Sequence, residues 1–203
     1  MKKNEYTKQM IASKLKILSK EMPLKAVTVQ KLTNTCGINR GTFYYHFYDM
    51  RELINWIYHS EITQPARDVL ATSLENWSRI SVDGLTRMHE DREFYQQAVE
   101  PDEPNGLAAY IQREIEANWS MLVDRYVEEL YPDADRSAIQ LDFIANFLAN
   151  GAYAMLMKWI TGGMKEAPEL LSELLDSVAY QGLRSAVESS VSKQGKKREE
   201  QCR

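Results

Sequence analysis

The amino-acid sequence predicts an all-α protein in which an N-terminal helix-turn-helix domain precedes a larger helical domain. Apolar residues recur at helical spacing along most of the chain, and no long stretch alternates apolar and polar residues as a strand does. A turn containing Gly37 separates two short helical segments, which is the helix-turn-helix pattern. The charge is also divided between a basic first part and an acidic remainder.

The uneven distribution of charge along the chain indicates what the N-terminal part binds. Residues 1–48 carry nine Lys and Arg against two Glu, a net charge of +7. The whole chain has a net charge of −4, so residues 49–203 carry −11. A basic N-terminal part beside an acidic body is typical of a nucleic-acid-binding regulator. The alternative, that the lysines only solvate the first helix, explains their number but not the near absence of acids.

Capping residues locate the first helices. The first helix is predicted over residues 6–21. Thr28 is a favoured N-cap for the second helix, and Gly37 supplies the permissive conformation that ends it. Asn39 is a second N-cap type, and it opens a short helix over residues 40–47.

This short helix carries the candidate DNA contacts. Phe43 and Phe47 lie one turn apart and are expected to face the core with Ile38, which leaves the polar side chains outward. Arg pairs with guanine, Asn with adenine and Thr with the thymine methyl, while Tyr hydroxyls suit phosphates. Glycine at position 41 would let the helix approach DNA closely. The alternative is a helical hairpin whose aromatic residues serve only packing. The predicted contacts are Thr28, Gln30, Asn39, Arg40, Gly41, Thr42, Tyr44, Tyr45 and His46.

The order of residues 27–53, VTVQKLTNTCGINRGTFYYHFYDMREL, resembles the DNA-binding domain of TetR-family transcription regulators. The resemblance covers about the first sixty residues and implies a three-helix DNA-binding head. That family commonly has a phosphate-contacting Lys in the D-x-x-E-L segment, where this chain has Met50 and Arg51. Arg51 is therefore a further candidate DNA contact.

A connecting helix and a helical body are predicted after the head. The connecting helix starts near Asp49 and reaches Thr63, and residues 65–73 are expected to be irregular around Pro65. The predicted units are a DNA-binding domain (1–48), a connecting helix (49–64), a regulatory and dimerisation domain (65–190) and a disordered, polar tail (191–203). Body helices are predicted over 76–90, 91–99, 107–131, 136–161 and from 168 onward, with a loop at 101–106.

The helix predicted over residues 136–161 is apolar nearly all round, so both of its sides are expected to be buried. In a chain of 203 residues, this pattern favours one face against the body and another against a partner. We therefore predict a homodimer formed through the last two helices.

The run GAYAMLMKWITGGMKEAPELL, residues 151–171, resembles the C-terminal domain of TetR-type regulators related to the dihydroxyacetone kinase regulators. The DREFY run, Asp91 to Tyr95, has a counterpart there too. This resemblance supports the architecture of the body and not a ligand. A small-molecule pocket is expected in the body because TetR-like regulators usually respond to an inducer bound there. The side chains that could line it, and that would suit an ordinary core equally well, are Trp77, His89, Phe94, Tyr95, Trp119, Tyr126, Phe147, Tyr153 and Met157.

Several classes of protein are not supported by the sequence. His89-Glu90-Asp91 lacks a second His at helical spacing, so no metal site is predicted. There is no Gly-rich phosphate loop or nucleophile elbow, so neither a cofactor nor catalytic residues are expected. No apolar run could span a membrane or serve as a secretory signal, and the two cysteines have no metal-ligand spacing. A reducing cytoplasm is the expected location.

Together these features predict a homodimeric DNA-binding regulator, most simply a repressor, that binds a palindromic operator and responds to a small-molecule inducer. The alternative is a co-regulator whose body is controlled by a protein partner. An all-α enzyme is the weakest reading, because no acid–base pair is evident.

Overall fold

A computed structural model describes residues 3–71, 77–100, 103–135 and 140–201, and the regular structure within these ranges is entirely helical. The predicted all-α class is therefore confirmed. Within these ranges, none of the helices has the length and apolar character needed to cross a membrane.

The head consists of three helices and a short 3₁₀ turn. These are α1 (Lys3–Glu21), the 3₁₀ turn (Leu24–Ala26), α2 (Val29–Cys36) and α3 (Arg40–His46). Phe43 and Phe47, predicted to face inward, are both almost completely buried. They pack with Leu32 and the apolar side of α1.

The connection between head and body is one nearly continuous helical segment. It comprises α4 (Met50–Tyr58), a π-helical turn (His59–Thr63) and α5 (Gln64–Leu70). The irregular stretch predicted from Pro65 is instead helical as far as Leu70. Pro65 lies in the first turn of α5, where a missing N–H costs least, and the π-helical turn precedes it.

Within the described ranges, the body contains six further α-helices and a second π-helical turn. They are α6 (Trp77–Glu90), α7 (Arg92–Ala98), α8 (Leu107–Leu130), α9 (Leu141–Thr161), α10 (Pro168–Leu174), the π-helical turn (Leu175–Tyr180) and α11 (Gln181–Gln201). The predicted start of α9 at residues 136–139 lies outside the described residues.

The tail differs from the prediction. Residues 191–201, expected to be disordered, continue α11 as a helix to Gln201. The segment is polar, but Lys, Arg, Glu and Gln are good helix formers and here extend a helix already packed at Leu183 and Val187.

The turn after α9 explains one of the sequence motifs. Met164 adopts a left-handed conformation with φ of 52° and is almost fully buried. Its backbone N–H donates to the carbonyl of Trp159 at 2.8 Å, and the Trp159 indole donates to the carbonyl of Glu166 at 3.0 Å. The segment WITGGMKE within the run of residues 151–171 thus ends α9, and the buried Met164 side chain packs into the core.

The residues that the structure describes form two hydrophobic clusters. The first joins the head to the near side of the body, from Ile11 on α1 to Trp159 on α9. The second holds α8, α9 and the C-terminal helices together around Trp119, Tyr126 and Leu183. Because the head shares its cluster with the body, a displacement in the body can reach the head through direct packing.

Candidate DNA interface and body cavity

The turn between α2 and α3 is built by local interactions. Thr28 caps α2 by accepting from the backbone N–H of Lys31 at 3.2 Å. Gly37 ends α2 with φ of 66°, a left-handed conformation that costs other residues free energy. The Ile38 N–H then donates to the carbonyl of Thr33 at 3.1 Å. These contacts fix the angle at which α3 leaves α2.

Asn39 caps α3, as the sequence predicted, and it also binds the Thr42 side chain. Its side-chain oxygen accepts from the Thr42 N–H at 2.7 Å and the Thr42 hydroxyl at 3.1 Å. A Cβ at position 41 would come within 3.2 Å of that same oxygen. Gly41 therefore makes room for the cap, in addition to any close approach to DNA.

The outer side of α3 presents an arginine and several tyrosines. Arg40 lies over the Tyr44 ring, with its guanidinium carbon 5.8 Å from the ring centre. Tyr44 and Tyr45 are largely exposed, as are Thr28, Gln30 and Asn39. Most of the predicted contacts are therefore exposed to solvent, and they carry the hydrogen-bonding groups that a major groove requires.

Tyr48 was not among the predicted contacts, although it is 84% exposed just beyond α3. Its backbone N–H donates to the Glu52 carboxylate, which fixes the start of α4. In the sequence, the position of Tyr48 directly before Asp49, the N-cap of α4, could have indicated that its side chain is exposed beside α3.

His46 is only partly exposed and packs edge-on against Tyr45, with ring centres 5.0 Å apart. Burial, followed by the positive charge of Lys8, lowers the pKa of His46 below its ordinary value. Its imidazole is therefore neutral at neutral pH, so it can exchange a hydrogen bond with DNA but does not supply a positive charge.

Arg51 already has carboxylate partners. Its guanidinium lies 3.3 Å from Asp49 and 3.9 Å from Glu103 in the body. Its side chain is half-exposed, so these contacts are weak. A phosphate contact by Arg51 would have to compete with these two acids.

An ion-pair cluster fastens the head to the body. The Lys16 ammonium on α1 lies 2.7 Å from Glu61 in the first π-helical turn and 2.8 Å from Asp91 before α7. Burial lowers the pKa of Lys16, but the hydrogen bonds to Asp91 and Glu61 outweigh it and raise the pKa above its ordinary value. Lys16 is therefore charged at physiological pH and bridges head, connection and body.

A glutamine adds a second link beside this cluster. The Gln97 side-chain oxygen accepts from the Leu24 N–H at 2.7 Å, and its nitrogen donates to the carbonyl of Ser19 at 2.7 Å. Lys25 and Glu100 form a more exposed ion pair at 3.1 Å. The α7 helix, which contains most of the DREFY run, is thus the docking element for the head.

A cavity of about 190 Å³ lies where the two hydrophobic clusters meet. Its walls come from the connecting segment, including α5, from α6, α8 and α9, and from Leu175 at the start of the second π-helical turn. Glu61 and Ile62 of the first π-helical turn also line it. Both irregular helical turns therefore border the cavity, and such turns are frequent at functional sites.

Among the predicted ligand-binding side chains that the structure describes, one lies at this cavity. Trp119 lines it. Phe94, Tyr95 and Tyr126 are buried in the cores, and Phe147 is 73% exposed. The other predicted residues are placed elsewhere: His89 stacks on Trp159, Tyr153 and Met157 pack against the first cluster, and the Trp77 side chain lies outside the described residues.

Sequence reasoning missed most of the actual lining, which is aliphatic and spread over several helices. Its members include Ile62, Val69, Leu70, Ile80, Leu85, Met88, Ile115, Met155, Leu156 and Leu175. Aliphatic residues at helical spacing give the same pattern whether they line a cavity or fill a core.

The outer surface of the body carries exposed apolar residues. On α9, Phe143 and Phe147 lie one turn apart and are 70% and 73% exposed. On the C-terminal helices, Leu170, Leu174 and Val178 recur at the same spacing and are also exposed. The prediction that one face of α9 packs inward and the other meets a partner stays a prediction, and the exposed apolar face is the kind that marks an interaction surface.

The described residues contain no group of three potential metal ligands close enough to hold an ion.

Comparison with known proteins gives matches to both parts of the chain. A family model described as "Bacterial regulatory proteins, tetR family" matches residues 18–57, and one described as "Transcriptional regulator C-terminal region" matches residues 75–181, just over half of the chain. The HTH-type dhaKLM operon transcriptional activator DhaS of Lactococcus lactis subsp. lactis (strain IL1403) is 25% identical over 183 residues, which cover 89% of this chain and 93% of that protein.

A solved structure of the same kind of regulator has a similar fold. The solved structure of the dihydroxyacetone kinase operon activator DhaS matches with a TM-score of 0.65 at 22% identity, covering 88% of this chain and 96% of that one. At this identity the match establishes a shared fold.

Proposed function

The chain belongs to the TetR family of bacterial transcription regulators, and on that premise we propose that it acts as a homodimer whose binding to a palindromic operator responds to a small molecule. The family comprises transcription regulators and not enzymes. We place its action in the cytoplasm, where it would meet its operator.

In the proposed complex, α3 enters the major groove and Arg40 contacts a base edge. Tyr44, Tyr45 and Tyr48 are exposed and would supply hydroxyl groups for phosphates or bases. A two-fold symmetric dimer requires two half-sites about one helical turn apart, or a multiple of it.

The exposed apolar face of α9 and the C-terminal helices is the proposed dimer surface. Phe143, Phe147, Leu170 and Val178 would leave water on association. Pairing this face between two copies would also bury the outer side of α9, whose sequence is apolar nearly all round.

The double role of Glu61 is the observation that carries the proposal for ligand response. Glu61 lines the body cavity, and its carboxylate forms an ion pair with Lys16 of the head. A molecule in the cavity that moves the first π-helical turn would therefore displace a group bonded directly to α1. The head would be reoriented, with a coupling free energy of about 1–3 kcal/mol being typical of such regulation.

Control by a protein partner is the second candidate. The cavity volume of about 190 Å³ is below the roughly 300–1,000 Å³ usual for ligand sites, which restricts the possible effectors. Size-exclusion chromatography with and without candidate proteins separates the two hypotheses, because only the second requires a larger complex.

The proposed sign of regulation is repression, the usual one in this family. The Lactococcus lactis relative is named an activator, which makes activation the alternative. A reporter gene placed behind the operator tests the sign: its expression should rise when the regulator is deleted.

The DNA-binding proposal is tested with an operator selected from random duplexes by the protein itself. Arg40→Ala should weaken operator binding, measured by fluorescence anisotropy, by about ten-fold or more if the guanidinium reads a guanine. Arg79→Ala removes the same chemistry from an exposed site on α6 and should have no effect. Unchanged affinity in Arg40→Ala would exclude this recognition helix.

A further inference from the structure

The cavity between the two clusters has a lining that restricts the chemistry of its ligand. We propose that it takes a small, uncharged and mainly apolar molecule, about the size of one substituted aromatic ring, with a single hydrogen-bond acceptor. This inference rests on the proposed ligand response and names the ligand class.

The volume sets the size. An apolar cavity of about 150 Å³ accepts benzene, and the cavity here measures about 190 Å³. There is room for a ring with two or three further heavy atoms. A fused multi-ring compound would require the helices to separate.

The wall is mainly aliphatic, and its two aromatic side chains are Trp119 and Tyr58. Leu85, Met88 and Leu156 from the first cluster oppose Leu70 and Trp119 from the second, and all five are buried. Transfer of a ligand's apolar surface from water to this wall is favourable at about 25 cal/mol per Å².

Several charged and polar groups of the wall already have partners. The Glu61 carboxylate is held by Lys16 at 2.7 Å, and the side-chain oxygen of Asn118 accepts from Arg67 at 3.0 Å. The hydroxyl of Ser81 lies 2.7 Å from that of a serine on α10. A charged ligand would lose its hydration without gaining a free counter-charge from these groups.

The remaining charged members of the lining are Asp83 and Arg87, and both are exposed. Asp83 also lies 3.7 Å from Arg79. These residues remain hydrated, so they do not provide the desolvated counter-charge that an ionic ligand in the interior would need.

Tyr58 is the polar anchor of the proposed site. It lines the cavity and is 4% exposed, and its hydroxyl makes no hydrogen bond to another described residue. Burial, with the negative charge of Glu114, raises the pKa of Tyr58 far above its ordinary value, so the phenol stays protonated. A protonated hydroxyl without a partner is a donor for a carbonyl, ether or hydroxyl oxygen.

Three molecules of nearly equal shape test this proposal with the full-length dimer: acetophenone, ethylbenzene and benzoate. Isothermal titration calorimetry should give acetophenone the highest affinity, with ethylbenzene about five-fold weaker for lack of an acceptor. Benzoate should bind at least about 100-fold more weakly than acetophenone, because its charge would be buried unpaired.

Two kinds of variant locate the site. Tyr58→Phe should reduce acetophenone affinity to that of ethylbenzene and leave ethylbenzene unchanged. Gly84→Leu should abolish binding of both by filling the cavity. Gly84→Ala is the milder partner, since its Cβ would lie at an ordinary contact distance of 3.5 Å from Ile62, and it should weaken binding without disturbing the fold.

Benzoate binding as tight as acetophenone, no binding of any probe, or binding unaffected by Gly84→Leu would overturn the proposal. Operator affinity is measured separately by anisotropy with and without acetophenone. If acetophenone binds as expected and operator affinity does not change, the ligand class stands and the proposed ligand response fails.

Discussion

Replacing Lys16 with Met should destabilise the protein by removing the cation shared by Glu61 and Asp91. Methionine keeps most of the apolar stem, so the main change is the loss of charge. The three side chains are between 17% and 29% exposed, which places the cluster between a buried and a surface ion pair. Breaking a buried pair costs about 3–5 kcal/mol and a surface pair about 0–1 kcal/mol, so we expect about 2 kcal/mol here.

For a protein of this size, about 1 kcal/mol corresponds to a Tm change of about 2–4 °C, so Lys16→Met should lower the Tm by about 4–8 °C. Differential scanning calorimetry at pH 7 measures it. The raised pKa of Lys16 means that this contribution is fully present below pH 10.5, the ordinary Lys value, and is lost as the pH rises through the higher folded value. The difference between wild type and variant should therefore be constant from pH 7 to 9.

Lys25→Met is the matched control. It also removes one positive charge from the head and breaks a head–body pair, with Glu100 at 3.1 Å, but the Lys25 side chain is 76% exposed. Its Tm should change by about 1–2 °C at most. Equal Tm changes in the two variants would refute the reasoning that partial burial makes the Lys16 cluster the stronger head–body link.

Three other perturbations test separate parts of the structure. Phe147→Glu should convert the dimer to monomers in size-exclusion chromatography, because a carboxylate would be buried in an apolar interface; a persistent dimer would place the interface elsewhere. Gly37→Ala should cost about 1–2 kcal/mol in urea unfolding, because φ is 66° there; an unchanged midpoint would mean that the turn relaxes. Burial, with the charge of Glu114, raises the pKa of Tyr110 to about 12, and burial also raises the pKa values of Tyr58 and Tyr95. The unfolded chain loses these protons near pH 10, so stability should fall as the pH rises above 10; absorbance at 295 nm that titrates as a simple pH 10 transition in the folded protein would contradict this.

The helix-turn-helix could be predicted from sequence because its determinants are local. Thr28 and Asn39 bond to N–H groups three residues later, and Gly37 has the conformation that its residue type favours. The burial of Phe43 and Phe47 could also be predicted, from their spacing of one helical turn. Interactions over three or four residues leave a direct pattern in the sequence.

The connecting segment was less predictable. Pro65 indicated a break, yet the chain remains helical because the π-helical turn before it accommodates the missing N–H. A π-helical turn has no strong sequence signature, and the packing of Ile62 and Glu61 against other helices helps to define it.

The cavity was the least predictable feature. Trp119 was identified, but Phe147 faces outward and Tyr126 is in the second cluster. Helical spacing shows that a residue lies on an apolar face, and it does not show whether that face meets a core, a cavity or another subunit.

The sequence by itself thus determined the all-α class, the DNA-binding head and its exposed polar side, since these depend on helix periodicity, caps and charge within short segments. The tertiary structure decided which residues surround the cavity, that Lys16 bridges Glu61 and Asp91, and that Phe147 is left on the surface. Those residues are far apart in the chain, and only the packing of separate helices brings them together or keeps them apart.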